Sequence, residues 1–249
     1  MTNTTTHKSP MSPTRKAALA AGLFYIATFV FSIPALGLYT GVLDDPSFVL
    51  GSGSDDGVLV GGFIEILTAL TGIGTAVAVY PVIKRWGPSR AAGFIASRTL
   101  EAAMIFTGVL AVLAVYTLRQ NGGDPTSLTT TADGLVAVKD WTFLLGPGIA
   151  ASINALCFAT ILRRTGLVPR WIPTLGLIGA PLLAASSTVT LFGGWEQVSA
   201  AGLGMALPIA VWEFSVGVYM TVKGFRTPSA GSTEPAFETA EPTPVLASV

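Results

Sequence analysis

Six long apolar runs dominate the sequence, and a chain patterned this way has few folds open to it. A hydrocarbon layer is about 30 Å thick and an α-helix rises about 1.5 Å per residue, so each crossing takes about 20 mostly apolar residues. The runs lie at 17–43, 58–83, 91–118, 141–162, 171–194 and 200–222. Only 11% of the 249 residues are charged, against roughly 25% in an average soluble domain, and the mean hydropathy is +0.64. Too few polar groups remain to wet a globular surface. The chain therefore reads as an all-α polytopic membrane protein, six transmembrane helices in a bundle, with the lipid bilayer as its first partner. The first run follows Arg15 and Lys16 as a secretory signal would, but it outlasts the roughly 7 to 15 apolar residues of a cleaved signal, so a retained helix is expected.

Basic residues near span ends are held on the cytoplasmic side of a membrane. Lys8, Arg15 and Lys16 precede the first run, Lys84, Arg85 and Arg90 follow the second, Arg163, Arg164 and Arg170 follow the fourth, and Lys223 and Arg226 follow the sixth. All of these fall on one side of a six-span chain. The opposite loops collect acids, with Arg119 and Lys139 their only cations. A cell (inner or plasma) membrane protein with both termini in the cytoplasm is predicted. Turn formers at 51–57 and 121–125 mark outer loops. The short basic connections predict antiparallel pairing of the second helix with the third and of the fourth with the fifth. Residues 1–14, rich in Thr, Ser and Pro, and 227–249, rich in Pro, Ser, Thr and Glu, cannot bury enough apolar area to offset ordering entropy and read as disordered tails around a 15–226 membrane domain.

Composition also removes functions. Fourteen basic and fourteen acidic side chains cancel, leaving no field to attract nucleic acid. The single cysteine, Cys157, lies inside an apolar run and the single histidine, His7, lies in the N-terminal tail. No histidine-based triad, cysteine zinc cage or intrachain disulfide can be built from them. Phosphate-cradling glycine loops, nucleophile elbows and metal-spaced ligands are not present in the pattern, so no catalytic residue, metal or cofactor is predicted and no enzyme class is named.

What remains are charges inside the spans. Each costs about 2.5 to 3.5 kcal/mol at mid-membrane and calls for a partner, a proton or water. Counting at about 1.5 Å per residue puts Arg98, Glu101, Glu213, Asn154 and Thr75 in one layer about 10 to 15 Å from the basic side. Arg98 and Glu101 are three apart and share a helix face, and Glu213 at matching depth would complete a carboxylate, guanidinium, carboxylate cluster. Two acids on one fixed cation leave a surplus negative charge that a bound proton would cancel. Such a proton serves a proton-coupled carrier; a purely structural polar clasp gives the same pattern, and a snorkelling Arg98 is a third reading. Glu65 counts nearer the outer surface, level with Lys139 and Asp140. Thr68, Gly72 and Thr75 continue its face as a polar, small-residue stripe, read either as close helix contact or as an outer vestibule of Glu65, Asp140 and Thr68. Gly146, Pro147 and Gly148 interrupt the fourth helix, and Pro181 and Pro208 kink the fifth and sixth. Ser186, Ser187, Thr188 and Thr190 read as packing residues.

Four stretches resemble the bacterial membrane family catalogued as domain of unknown function 4386. They are Arg15 and Lys16 with 21–26, Arg98 to Ala103, Leu167 to Arg170 with Gly176 and Gly179, and Glu213 to Ser215 with 222–226. The resemblance spans 15–226 and implies a six-helix integral membrane protein without supplying an activity. Lys139, Asp140 and Trp141 depart from it, because the family often sets a histidine beside that aspartate. The function expected is a membrane protein handling a small solute or coupling to protons. A scaffold or signalling protein binding a protein partner is the alternative, and a membrane-embedded enzyme acting on lipid stands third.

Overall fold

A computed structural model describes residues 11–51 and 55–228, and every regular element among them is helical. The elements are α1 (Pro13–Leu38), α2 (Thr40–Asp44), a 3-10 turn (Phe48–Leu50), α3 (Asp56–Ile83), α4 (Pro88–Asn121), α5 (Pro125–Phe143), a π-helical segment (Leu144–Ala150), α6 (Ala151–Thr165), α7 (Trp171–Leu191) and α8 (Ala200–Val222). Six helical stretches are long and apolar enough to cross a membrane, with α5, the π segment and α6 forming one continuous stretch, Pro125–Thr165. The fold is that of a multi-pass membrane protein.

Local chemistry sets the ends. Ser12, Asp55, Asp124 and Ser199 accept backbone N–H bonds at the starts of α1, α3, α5 and α8, meeting donors that a helix otherwise leaves unpaired. Gly166 ends α6 in the left-handed conformation, φ 69°, where a side chain would be strained.

The fourth span departs from expectation. Residues 125–140, counted with the outer loops from the sequence, are helical, and the crossing begins well before Trp141. The Gly-Pro-Gly interruption does not break the chain either. Pro147 has no N–H to offer the Phe143 carbonyl and the helix widens to a π turn. The Phe143 carbonyl also accepts from Gln197 Nε2 at 3.2 Å. The expected disordered tails fall mostly outside the described residues, as do residues 52–54 of the outer loop. Pro13 and Thr14, placed in the tail, open α1.

Neighbouring helices close a ring in the order α1, α3, α4, α5–α6, α7, α8 and back to α1, which includes both antiparallel pairs expected. The seam between α1 and α8 is tight. A Cβ on Gly22 would lie 2.6 Å from the Thr221 amide nitrogen, and one on Gly217 would lie 2.8 Å from Tyr25 Cβ. The half of the ring nearer the termini is filled by an apolar core that includes Ala21, Val79, Ile83, Phe94, Phe158, Leu162, Ile172, Trp212 and Met220. A second, smaller core of Tyr39, Val42, Phe48, Val49, Val58, Val112, Val115, Leu128 and Ala132 covers one corner of the opposite end. The polar residues of interest lie between the two.

Candidate functional site

Arg98 of α4 and Glu213 of α8 sit on helices that are not neighbours in the ring, and their side chains bridge its interior. Arg98 Nη2 donates to Glu213 Oε1 at 2.5 Å, and Nη1 donates to Glu101 Oε2 at 3.0 Å. Asn154 of α6 donates its Nδ2 to the same Glu101 oxygen at 2.7 Å. The guanidinium also lies over the rings of Tyr25 at 5.3 Å and Phe94 at 5.9 Å, within the distance at which a ring face attracts a cation. Below it Tyr25, Phe94, Phe158 and Trp212 stack or meet edge to face with centroids 4.8 to 6.4 Å apart. Gly176 of α7 gives the Trp212 indole its place, since a Cβ there would lie 2.7 Å from the ring.

Three features distinguish this cluster. Its charge does not balance, because one guanidinium meets two carboxylates. Burial is uneven as well: the Arg98 side chain is 4% exposed, Glu101 12% and Glu213 18%. In addition, buried polar atoms of its members are left over. Asn154 Oδ1 and Trp212 Nε1 have no hydrogen-bond partner among the described residues, and Tyr25 Oη and Arg98 Nε have no aligned one. Folded proteins almost always satisfy such atoms, often with ordered water.

A second ionic site lies toward the opposite face. Lys139 Nζ of α5 donates to both carboxylate oxygens of Glu65 on α3, each at 2.6 Å, with 6% and 10% of the two side chains exposed. The ammonium lies 5.0 Å from the centre of the Tyr39 ring, which lies against α3 where Gly61 leaves room. Lys139 reaches Glu65 past α4 because residue 108 is glycine: a Cβ there would come 3.0 Å from Lys139 Cδ and 2.7 Å from Thr142 Oγ1. One cation meets one anion here, and charge is matched.

Of the residues singled out from sequence, Arg98, Glu101, Glu213 and Asn154 come together. Thr75 is buried but bonds the Thr71 carbonyl of its own helix and is no partner of the cluster. Arg98 does not snorkel. In the outer group Glu65 is paired, yet Asp140 is exposed and bonds neither Glu65 nor Lys139; Thr68 bonds the Ile64 carbonyl. The partner of Glu65 is Lys139, one residue earlier, which a count of depth could not separate from Asp140 because adjacent residues differ by about 1.5 Å in level. Tyr25, Tyr39, Gly108 and Trp212 were missed altogether, being indistinguishable from ordinary apolar span residues in the sequence. Ser186 accepts a bond from Trp195 Nε1 at 3.2 Å, so it is more than a self-bonded packing residue.

The stretches that carry the family resemblance fall into two spatial groups. Arg98 and Glu213 meet in the interior. On the face bearing the termini, Arg15 donates to the carbonyls of Met220, Thr221 and Val222 at 2.7 to 3.3 Å, a cation at the negative end of α8. The Arg226 amide donates to Leu167 at 2.8 Å. The family model described as "Domain of unknown function (DUF4386)" matches residues 20–224. No curated protein and no solved structure matches the chain.

Proposed function

The chain belongs to the DUF4386 family, and from that premise we propose that it is a proton-binding membrane carrier whose site is Glu101 and Glu213 on either side of Arg98. The observation that carries this reading is the charge excess of the interior cluster. Two carboxylates sharing one guanidinium in a low-dielectric layer hold a net negative charge unless one takes up a proton. Asn154 and Arg98 both donate to Glu101 Oε2, while Glu213, the more exposed of the two acids, is held by Arg98 alone, so that the single guanidinium is shared between them.

Ten basic residues line the face that carries the termini, from Arg15 and Lys16 to Lys223 and Arg226, with no acid among the described residues there. That asymmetry supports a bacterial plasma-membrane location with the termini in the cytoplasm. The solute moved with the proton would be small and polar, to fit a site bounded by aromatic rings and two carboxylates.

Infrared difference spectroscopy of the reconstituted protein across pH tests the proton directly. A protonated-carboxyl stretch is expected near neutral pH, lost on raising the pH, absent from Glu213→Gln and retained in Glu65→Gln. No such band, or one that survives both Glu101→Gln and Glu213→Gln, overturns the reading and leaves the cluster a structural clasp, as a scaffold would have it.

A further inference from the structure

Gly72 stands apart from the other buried glycines of α3. A Cβ built on Gly61 would strike the Tyr39 ring and one on Gly62 would meet Leu113 at 3.5 Å, yet one on Gly72 meets nothing within 4 Å although Gly72 is itself buried. Close helix contact therefore does not explain this glycine. Open space lies beside it, inside the protein. Seven residues are close to two helical turns, so Gly72 shares a line on α3 with Glu65, which faces Lys139 in the interior, and with Val79, which is fully buried in the apolar core. The space consequently lies in the ring's interior, about 10 Å along the axis from Glu65 and on the side of Val79 away from the termini.

Its surroundings are polar. Thr68 and Thr75 flank Gly72 on the same face, and their hydroxyls donate to their own helix, leaving oxygen lone pairs to accept. Toward the outer end Tyr39 Oη is buried without an aligned partner, and toward the inner end the same holds for Asn154 Oδ1 and Tyr25 Oη. Hydroxyl oxygens beside an interior space are the setting in which proteins hold ordered water.

The geometry points to a water-holding chamber beside Gly72, lying between the Lys139–Glu65 pair and the Arg98 cluster, with that ion pair beneath Tyr39 as its outer gate. The proton bound between Glu101 and Glu213 exchanges through this water toward the face away from the termini, since the terminal half of the ring is sealed by apolar side chains. This rests on the proton-site reading for its purpose but not for its existence.

Cys157 is the only cysteine, so Cys157→Ser supplies a clean background for single cysteines in proteoliposomes. Reaction with a membrane-impermeant cationic methanethiosulfonate requires a thiolate, hence water at the thiol. Gly72→Cys is expected to be modified about tenfold or more faster than Ala76→Cys, whose position lies in the apolar core, and adding Glu65→Gln should speed it further by opening the gate. Gly72→Ala provides a folding control and should leave the elution profile unchanged and the Tm no lower. A Gly72→Cys thiol that stays inert both with Glu65 intact and with Glu65→Gln added overturns the chamber even if the carboxyl band is present. Rapid modification without that band sustains the chamber and removes the proton site.

Discussion

The two ionic sites are built from the same materials and differ in one integer. Lys139 and Glu65 make a matched pair, nearly sealed, with the cation bonded to both oxygens of the anion. Arg98 carries two acids, more exposed than itself, with buried polar atoms to spare around it. A matched pair has no spare charge to trade, so its ions serve to hold α3 to α5. An unmatched cluster retains a charge that water, a proton or a solute must answer. Charge inside a membrane bundle is therefore not by itself a sign of chemistry; the proton-site proposal rests on the excess of one sign around Arg98.

Deleting the charges one at a time and following Tm in detergent separates the two sites. Arg98→Met should be the most damaging change, because two neighbouring acids lose their shared cation. Glu65→Gln should cost about 3–5 kcal/mol, the usual penalty for leaving one member of a buried pair alone, and Lys139→Met in the same chain should recover most of it. The identical substitution at Glu213 should cost less than about 1 kcal/mol, since Arg98 and Glu101 then form a matched pair of their own. Equal losses for Glu65→Gln and Glu213→Gln would erase the distinction.

Next in size is the glycine that serves the matched pair. Gly108→Ala places a methyl 2.7 Å from Thr142 Oγ1 and 3.0 Å from Lys139 Cδ, so the lysine must shift, and a loss of about 1–3 kcal/mol is expected from overpacking. Gly72→Ala meets nothing and gains helix propensity, which gives a stability change between zero and about 1 kcal/mol in its favour. Opposite signs for the two variants in chemical unfolding sharpen the contrast between a contact glycine and a glycine that lines space.

Much of this layout was legible in the sequence. Length and apolarity fixed the number of crossings, because the thickness of hydrocarbon leaves little choice. The Arg98 layer was legible too, since helical rise converts residue number into depth and spacing by three puts Glu101 beside Arg98. The pairing of Glu65 was not. Depth cannot tell Lys139 from Asp140, and helix azimuth depends on α5 running unbroken into the π turn at Pro147, which composition reads as an interruption. Tyr25 and Trp212 stayed hidden because aromatic residues in an apolar span carry no polarity signal, and only the ring order brings them beneath the guanidinium. Gly72 and Gly108 look alike in sequence; what each faces is a property of the neighbours.

The smallest effect sets a solvent-exposed acid against the buried ones. Asp124 caps α5, accepting the Ser127 backbone N–H and the Ser127 hydroxyl, each at 2.9 Å. The amide bond, then the hydroxyl bond, hold its carboxyl below the ordinary aspartate range. A carboxyl lowered by folding contributes stability that is present above its unfolded value and fades as pH falls through the folded one. Asp124→Asn keeps a capping oxygen but does not titrate, so wild type should exceed the variant slightly in Tm at neutral pH, and the gap should close on acidification. Added salt should narrow the neutral-pH gap as well, because the Asp124 carboxylate and the start of α5 face solvent and are screened. The loss caused by Glu65→Gln should hold steady in the same salt, its partner being out of reach of counterions. If salt diminished both alike, Glu65 and Lys139 would belong to the water-facing surface and the matched pair would lose its claim to be sealed.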